Sequence, residues 1–409
     1  MLYITAKQAA EQWGITVRRV QDMCRNNQLP GSVRHGRDWM IPLDAVRPTD
    51  RRRKEVTPTE AIHKLPRRNP AIVMSNLYTK PGTADAVTQA LHGQPEAAEL
   101  FRAQIAFCRG NTDTAYNLCI KLLEKPCTHD LQIGCGIMLG MTAICRGDLQ
   151  LWEQAKQTIR SAPCHDRKDA HLSEFWLAAV ESEIFGIETF PQWLIKGSFD
   201  PLPGDSYPAA RYYYLKYLYV LCHEHAVGHR GERDSQSMMR IFPLICEPLI
   251  SQTRKDGALV AEIYLRLICA VAYHDLGNNE ESCHQLDAAI ALALPDRLYL
   301  ILAEHCRQLD FLMDERLMLA DPEAAAQVKA LSHQYHDSWT KLHNIAMSRT
   351  VSNMLTTRER EVAKHAAFGL SNKEIAQRLH ISVNTVKQAL RTAMDKTGAV
   401  RRSDLSRFI

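Results

Sequence analysis

The chain has 409 residues, 45% of them hydrophobic and 23% charged, with a net charge of +4 at neutral pH. That composition is ordinary for a globular protein, argues against a disordered chain, a collagen or a membrane bundle, and fits roughly two to three domains. The charge is uneven: residues 1–55 carry +5, residues 350–409 carry +6 and residues 56–349 carry −7, so two small basic ends flank an acidic middle, as a polyanionic partner at both ends would require.

The opening run MLYITAKQAAEQWG lacks the basic-then-apolar pattern of an export signal. The apolar stretch Ala258–Tyr273 is interrupted by Glu262 and Arg266, short of the ~18 uninterrupted residues of a membrane span. A cytoplasmic location without membrane contact is therefore expected. The 12 cysteines form no Cys-x-x-Cys pair. They read as small buried hydrophobes, with neither a disulfide framework nor a zinc site.

Residues 1–46 read as two helices and a hairpin. Thr5 and Gln8 make a capping box, and Ala9, Ala10 and Trp13 give the first helix its buried stripe. Gly14-Ile15 is the turn, and Thr16 caps a second helix from Val17 to about Asn26. Its inner side is Val20, Met23 and Cys24; Arg18, Asp22 and Arg25 recur at i, i+4, i+7 on its outer side. After Leu29-Pro30-Gly31 come two short extended runs, Ser32–Arg34 and Asp38–Ile41, joined at His35-Gly36. The segment resembles the excisionase- and MerR-type winged helix-turn-helix. The resemblance rests on Ala9-Ala10, Gly14-Ile15-Thr16, Leu29-Pro30-Gly31 and the string Arg34-x-Gly36-Arg37-x-Trp39-x-Ile41-Pro42. Its candidate DNA contacts are Thr16, Arg18, Arg19, Arg25, Arg34, His35 and Arg37. Asp22 on the same face repels phosphate, so protein contact is the alternative for this domain.

Residues 47–70 hold four prolines and the basic cluster Arg51–Lys54. They read as a linker. In residues 71–345, three stretches share a helix, glycine turn, helix pattern, centred on Gly110, Gly147 and Gly277. The first two glycines are 37 residues apart, near the ~34 of a tetratricopeptide repeat. An all-α repeat solenoid is expected, carrying a small-molecule or peptide effector. Ala288–His305 resembles the helical arch of the large MalT-like LuxR regulators. That resemblance implies an ATPase, yet no Gly-x4-Gly-Lys-Ser/Thr phosphate loop occurs, and no cofactor is expected. Cys222, His225 and His229 share a helical face but span two turns, too far for one metal ion. The tyrosines 212, 213, 214, 217 and 219 suit either helix packing or a concave ligand surface, packing being the commoner use.

Residues 352–409 carry the most specific signal. Thr356 with Glu359, and Ser371 with Glu374, are capping boxes opening two helices. Gly369 ends the first, and His380-Ile381 is the turn after the second. Ser382 caps a third helix that stops at Gly398, and Ser403 opens a last short one. Short helix, tight turn and longer polar helix is the helix-turn-helix layout, whose second member enters the DNA major groove. The outer side of that helix offers Asn384, Thr385, Lys387, Gln388 and Arg391, the donor-rich types that reach base edges and phosphates.

This segment resembles the LuxR-type, or GerE-type, DNA-binding domain through Arg358-Glu359-Arg360-Glu361-Val362, Gly369-Leu370-Ser371-Asn372-Lys373-Glu374-Ile375-Ala376 and Thr385-Val386-Lys387. The resemblance implies Lys387, Gln388 and Arg391 in the major groove and Lys373 and Thr385 on the backbone. It also implies that the last helix, with Leu405 and Phe408, pairs two copies. His365 and Ala366 stand where large aliphatics are usual, Thr397 replaces a leucine and Ala389 a frequent histidine. These weaken the small core.

The sequence thus predicts a mainly α protein: an N-terminal winged helix-turn-helix (1–46), a linker (47–70), a tetratricopeptide-like domain (71–345) and a LuxR-type helix-turn-helix (352–409). The function expected is a sequence-specific transcriptional regulator with a DNA-reading domain at each end of a helical sensor or scaffold, bound to double-stranded promoter or operator DNA as a homodimer and working with RNA polymerase. An enzyme finds no support: Gly-x-Ser-x-Gly, His-Glu-x-x-His and paired zinc spacings are all absent. A recombination or architectural factor, and a repeat scaffold with protein-binding ends, are the other readings.

Overall fold

The computed structural model describes residues 3–13, 16–26, 28–36, 38–42, 45, 74–75, 78–91, 93–184, 189–224, 232–346, 355, 357–397, 399 and 401–407. The chain divides into two compact units, Met1–Ala61 and Ile62–Ile409.

In the first unit, β1 (Tyr3–Thr5) leads into α1 (Ala6–Trp13) and α2 (Val17–Arg25), followed by β2 (Val33–His35) and β3 (Asp38–Pro42). The Thr5–Gln8 capping box forms: Thr5 N–H donates to Gln8 Oε1 at 2.9 Å, and Gln8 N–H to Thr5 Oγ1 at 3.3 Å. The β2–β3 hairpin closes with His35 opposite Asp38, and Gly36 takes the left-handed φ of 63° that the turn demands. β1 adds a third strand on the other side of β3, with Ile4 opposite Ile41. Three residues carry too little alternation to announce a strand, so β1 was not expected. Ala6, Ala9, Ala10, Val20, Met23, Cys24, Leu29 and Ile41 form the small core. The turn Gly14-Ile15, Arg37, the Trp13 and Arg19 side chains and the linker 47–70 lie outside the described residues.

The second unit is helical. Its helices are α3 (Ala84–Ala90), α4 (Pro95–Cys108), α5 (Thr112–Leu123), α6 (His129–Arg146), α7 (Leu149–Arg160), α8 (Arg167–Ser182), α9 (Gln192–Ile195), α10 (Tyr207–Glu224) and α11 (Glu232–Asp256). There follow α12 (Leu259–Leu276), α13 (Asn279–Ala293), α14 (Tyr299–Ala303), α15 (Cys306–Leu309), α16 (Phe311–Ala320) and α17 (Pro322–Ala346). The three expected glycine turns join α4 to α5, α6 to α7 and α12 to α13, with φ of 90° at Gly110, 61° at Gly147 and 74° at Gly277. Caps follow the sequence: the Thr128 and Asp148 side chains accept from Leu131 N–H and Leu151 N–H. Gly136 and Gly140 let α6 approach its neighbours, since a Cβ at Gly136 would stand 2.6 Å from Ile159 Cγ1.

Stacking of neighbours is supplemented by contacts remote in sequence. Asp296 accepts from Tyr78 Oη and Gly82 N–H, and from Ala84 N–H at 3.2 Å, so it caps α3 from more than 200 residues away. The long α17 returns to α6. Its Trp339 Nε1 donates to Glu183 O at 2.7 Å, and His343 Nδ1 lies 3.1 Å from Ile184 O. These bonds satisfy carbonyls at the end of α8 that its own backbone leaves open.

The charges that interrupt Ala258–Tyr273 pair with each other: Arg266 donates to Glu262 at 2.7 and 2.9 Å and to Gln285 at 2.8 Å. Tyr212 and Tyr213 are buried; Tyr213 Oη donates to Glu183 at 3.0 Å and Tyr219 Oη to Asp275 at 2.7 Å. For these tyrosines, packing is what the structure shows. Cys222 is buried and its thiol is pushed up to about 11 by burial; His225 and His229 lie outside the described residues. Among the described residues, no helix is long and apolar enough to cross a membrane, and no histidine, cysteine or carboxylate cluster fits a metal ion.

Candidate nucleic-acid interface

The end of the chain forms α18 (Thr357–Ala367), α19 (Asn372–Arg378), α20 (Val383–Thr397) and a 3₁₀ turn, Arg402–Arg407. Ser371 and Glu374 complete a capping box: Glu374 N–H donates to Ser371 Oγ at 3.3 Å and Ser371 N–H to Glu374 Oε2 at 2.7 Å. Those hydrogen bonds hold the Glu374 carboxyl below its ordinary range. The turn between α19 and α20 places His380 at φ 51°, and Ile381 N–H donates to Ala376 O at 3.0 Å. Ser382 then caps α20 by accepting from Thr385 N–H at 3.0 Å. Thr356 and Gly398, expected at the two outer ends, lie outside the described residues.

Helical spacing now sorts α20 into two faces. Val386, Ala389, Leu390 and Ala393 are buried against Val362, Ala363, Ala366, Ile375 and Ala376. Asn384, Thr385, Lys387, Gln388 and Arg391 are all exposed. Arg391 meets Asp395 only at 4.0 Å with both side chains more than 70% exposed, so the guanidinium remains open to a partner. Lys373 is exposed in the first turn of α19. Residues 353–409 match GerE, the luxR family of bacterial regulatory proteins. No curated protein and no solved structure matches the chain. The GerE domain marks the protein as a DNA-binding transcription regulator.

Two departures from the usual pattern are buried in the fold. Thr397 is buried, but its hydroxyl donates to Ala393 O at 2.8 Å, so no polar group is stranded. His365 is buried and neutral, its pKa driven down to about 3 by burial and by Arg378 and Lys364.

One expectation is corrected. Leu405, expected to pair two copies, has 0% exposure and belongs to the domain's own core. The 3₁₀ turn folds back on α18, held by Arg402 Nη2 donating to Leu370 O at 2.8 Å. Phe408 lies outside the described residues.

In the N-terminal unit Thr16, Arg18, Arg25, Arg34 and His35 are exposed. Arg25 Nη1 is 2.9 Å from Asp22 Oδ1, so part of its charge is answered locally.

Sequence reasoning missed the residues on the back of the GerE domain. Lys364 Nζ lies 2.6 Å from Asp275 Oδ1 and donates to Gln308 O at 2.8 Å, while Arg378 Nη2 donates to Asp275 O at 3.1 Å. Phe368 packs against the helical core. A Cβ at Gly277 would overlap the Arg378 guanidinium, so glycine serves both the left-handed turn and this close approach. A polar residue at a helix end carries no signal of such a partner.

Proposed function

We propose that the chain is a sequence-specific transcriptional regulator that reads DNA with α20, the helical domain acting as sensor or scaffold. The observation that carries this is the sorting of α20: its apolar face is buried in the GerE core while Asn384, Thr385, Lys387, Gln388 and Arg391 are exposed on the other. Lys387, Gln388 and Arg391 carry the donor types that suit base edges, and Lys373 and Thr385 stand at helix starts, where phosphate is favoured. We further propose that the N-terminal unit is a winged helix-turn-helix that contacts DNA through Thr16, Arg18, Arg19, Arg25, Arg34, His35 and Arg37. A homodimer on a promoter, contact with RNA polymerase and an effector on the helical domain complete the proposal. Genome-wide mapping of binding sites, followed by gel shifts on the recovered sequence, tests it; no enriched site would sink it. A second reading of the N-terminal unit, protein contact, is favoured by the Asp22–Arg25 pair, which places a carboxylate on the outer helix face.

A further inference from the structure

The GerE domain rests on the carboxyl end of α12, and beside that contact lies a cleft of about 500 Å³. Small-molecule sites run ~300–1,000 Å³ and favour domain boundaries. Met239 and Leu276 from the helical domain and Phe368 and Leu370 from the GerE domain give the cleft apolar walls. Two carboxylates also border it. Asp275 is answered by Lys364 and Tyr219, whereas Glu374 is exposed and ionised, one of its oxygens accepting from Ser371 N–H, so two guanidinium charges face one open carboxylate. Among the described residues, the donors that can address a ligand are the guanidinium of Arg240, the guanidinium of Arg378 and the amide of Gln377. Arg378 gives one nitrogen to Asp275 O, and a guanidinium has five N–H donors.

The cleft therefore joins apolar side chains to hydrogen-bond donors, with one guanidinium contributed by each domain. We propose that it binds a small organic acid. The carboxylate bridges Arg240 and Arg378, and the apolar body lies on Phe368, Leu370, Met239 and Leu276. A guanidinium matches a carboxylate with two parallel hydrogen bonds, which a neutral isostere cannot return. Burial disfavours the Arg378 charge, and a bound anion offsets that. Because the two arginines belong to different domains, the acid binds only the docked arrangement and shifts the population toward it. This is the effector of the proposed regulator, and its regulatory consequence rests on that reading.

The test is calorimetric titration of the full chain with octanoate and 3-phenylpropionate, each paired with its primary amide. The acids should bind, and the amides should bind roughly tenfold more weakly or worse. Arg240→Gln and Arg378→Gln should each cost the acids about tenfold. Arg240 is exposed, so that variant keeps its fold, which circular dichroism checks. Absence of binding by both acids, equal binding of acid and amide, or unchanged binding by Arg240→Gln would each overturn the proposal. None of these readouts involves DNA, so failure of the DNA reading registers separately.

Discussion

Lys364 of the GerE domain lies 2.6 Å from Asp275 of the helical domain, and the Asp275 side chain is wholly buried. His274 and His365 stand beside the pair, both neutral, their pKa values driven down to about 4 and about 3, chiefly by burial. The Asp275 carboxylate is thus out of water while the Lys364 side chain is 17% exposed, and removing the lysine leaves the carboxylate uncompensated. Breaking a buried pair this way costs ~3–5 kcal/mol. A double-mutant cycle with Lys364→Met and Asp275→Asn, read from urea unfolding of the full chain, should return a coupling of about 2 kcal/mol. Coupling indistinguishable from zero would mean that the two domains are not joined here in solution.

That contact marks the boundary of what the sequence reveals. The capping boxes at Thr5 and Ser371 were legible because both partners lie within three residues. The glycine turns at 110, 147 and 277 were legible for a similar reason: a left-handed turn selects glycine locally. The two faces of α20 follow from helical periodicity alone. By contrast, Lys364 and Asp275 are 89 positions apart in the sequence, and nothing near either residue names the other. Asp296 beneath Ala84 and Trp339 beneath Glu183 are long-range bonds of the same kind. Leu405 was expected at a pairing surface on the strength of a resemblance, which names an apolar residue but not what covers it in this chain.

Leu405 supplies the second prediction. It fills the GerE core with 0% exposure, so Leu405→Ala should cost ~2–5 kcal/mol of that domain's stability. DNA affinity should fall with the folded fraction. Thermal unfolding and sedimentation of the same variant decide the matter. A change in association state at unchanged stability would restore the pairing role.

The third prediction concerns pH. Glu304 is buried, accepts from Tyr264 Oη at 2.9 Å, and has its carboxyl pushed up to about 8 by burial and by Glu183. The folded chain therefore holds a proton that the unfolded chain releases near pH 4.5. Its contribution to stability is present below pH 4.5 and lost as pH rises toward 8. His305 and His336 act oppositely. Burial drives them to about 4 and about 3, so stability falls as pH drops below ~6.5 and the unfolded chain takes up protons. Glu304→Gln removes only the first effect. Its stability relative to the parent should climb from pH 5 to pH 8 and level off above, in urea midpoints at fixed salt. A flat difference across that range would contradict the neutral buried carboxyl.

Lys387 and Arg391 test the recognition face. Both are exposed on α20, so alanine at either should leave the fold intact. The loss in DNA affinity should be ~1–3 kcal/mol for a bidentate base contact and less for a phosphate contact. A base contact also relaxes specificity at one position, whereas a phosphate contact lowers affinity evenly and reduces the salt slope. Gel-shift titrations on the mapped site and its single-base variants separate these. Unchanged specific binding by both variants would remove α20 as the reader.

The last prediction asks whether the N-terminal unit also reads DNA. Residues 1–55 carry +5, and Arg18, Arg34 and His35 are exposed, so this end alone should bind weakly and with strong salt dependence. Joined to the GerE domain in one chain, its contact becomes intramolecular, which adds ~10²–10⁴ in avidity when geometry allows both to engage. The acidic middle repels DNA, so protection should appear as two patches. Deleting residues 1–55 should shorten the footprint and lower the salt slope while recognition by residues 353–409 persists. Arg34→Ala should reproduce part of that loss. Arg34 faces solvent on β2 opposite Trp39, and the core residue Ile41 lies on the neighbouring strand, so the hairpin survives the change. Footprinting with quantitative titration at two salt concentrations compares the full chain, the deletion and Arg34→Ala. If all three protect the same length with the same salt slope, the N-terminal unit contacts protein rather than DNA, and the Asp22–Arg25 pair on its outer helix face becomes the place to look for that partner.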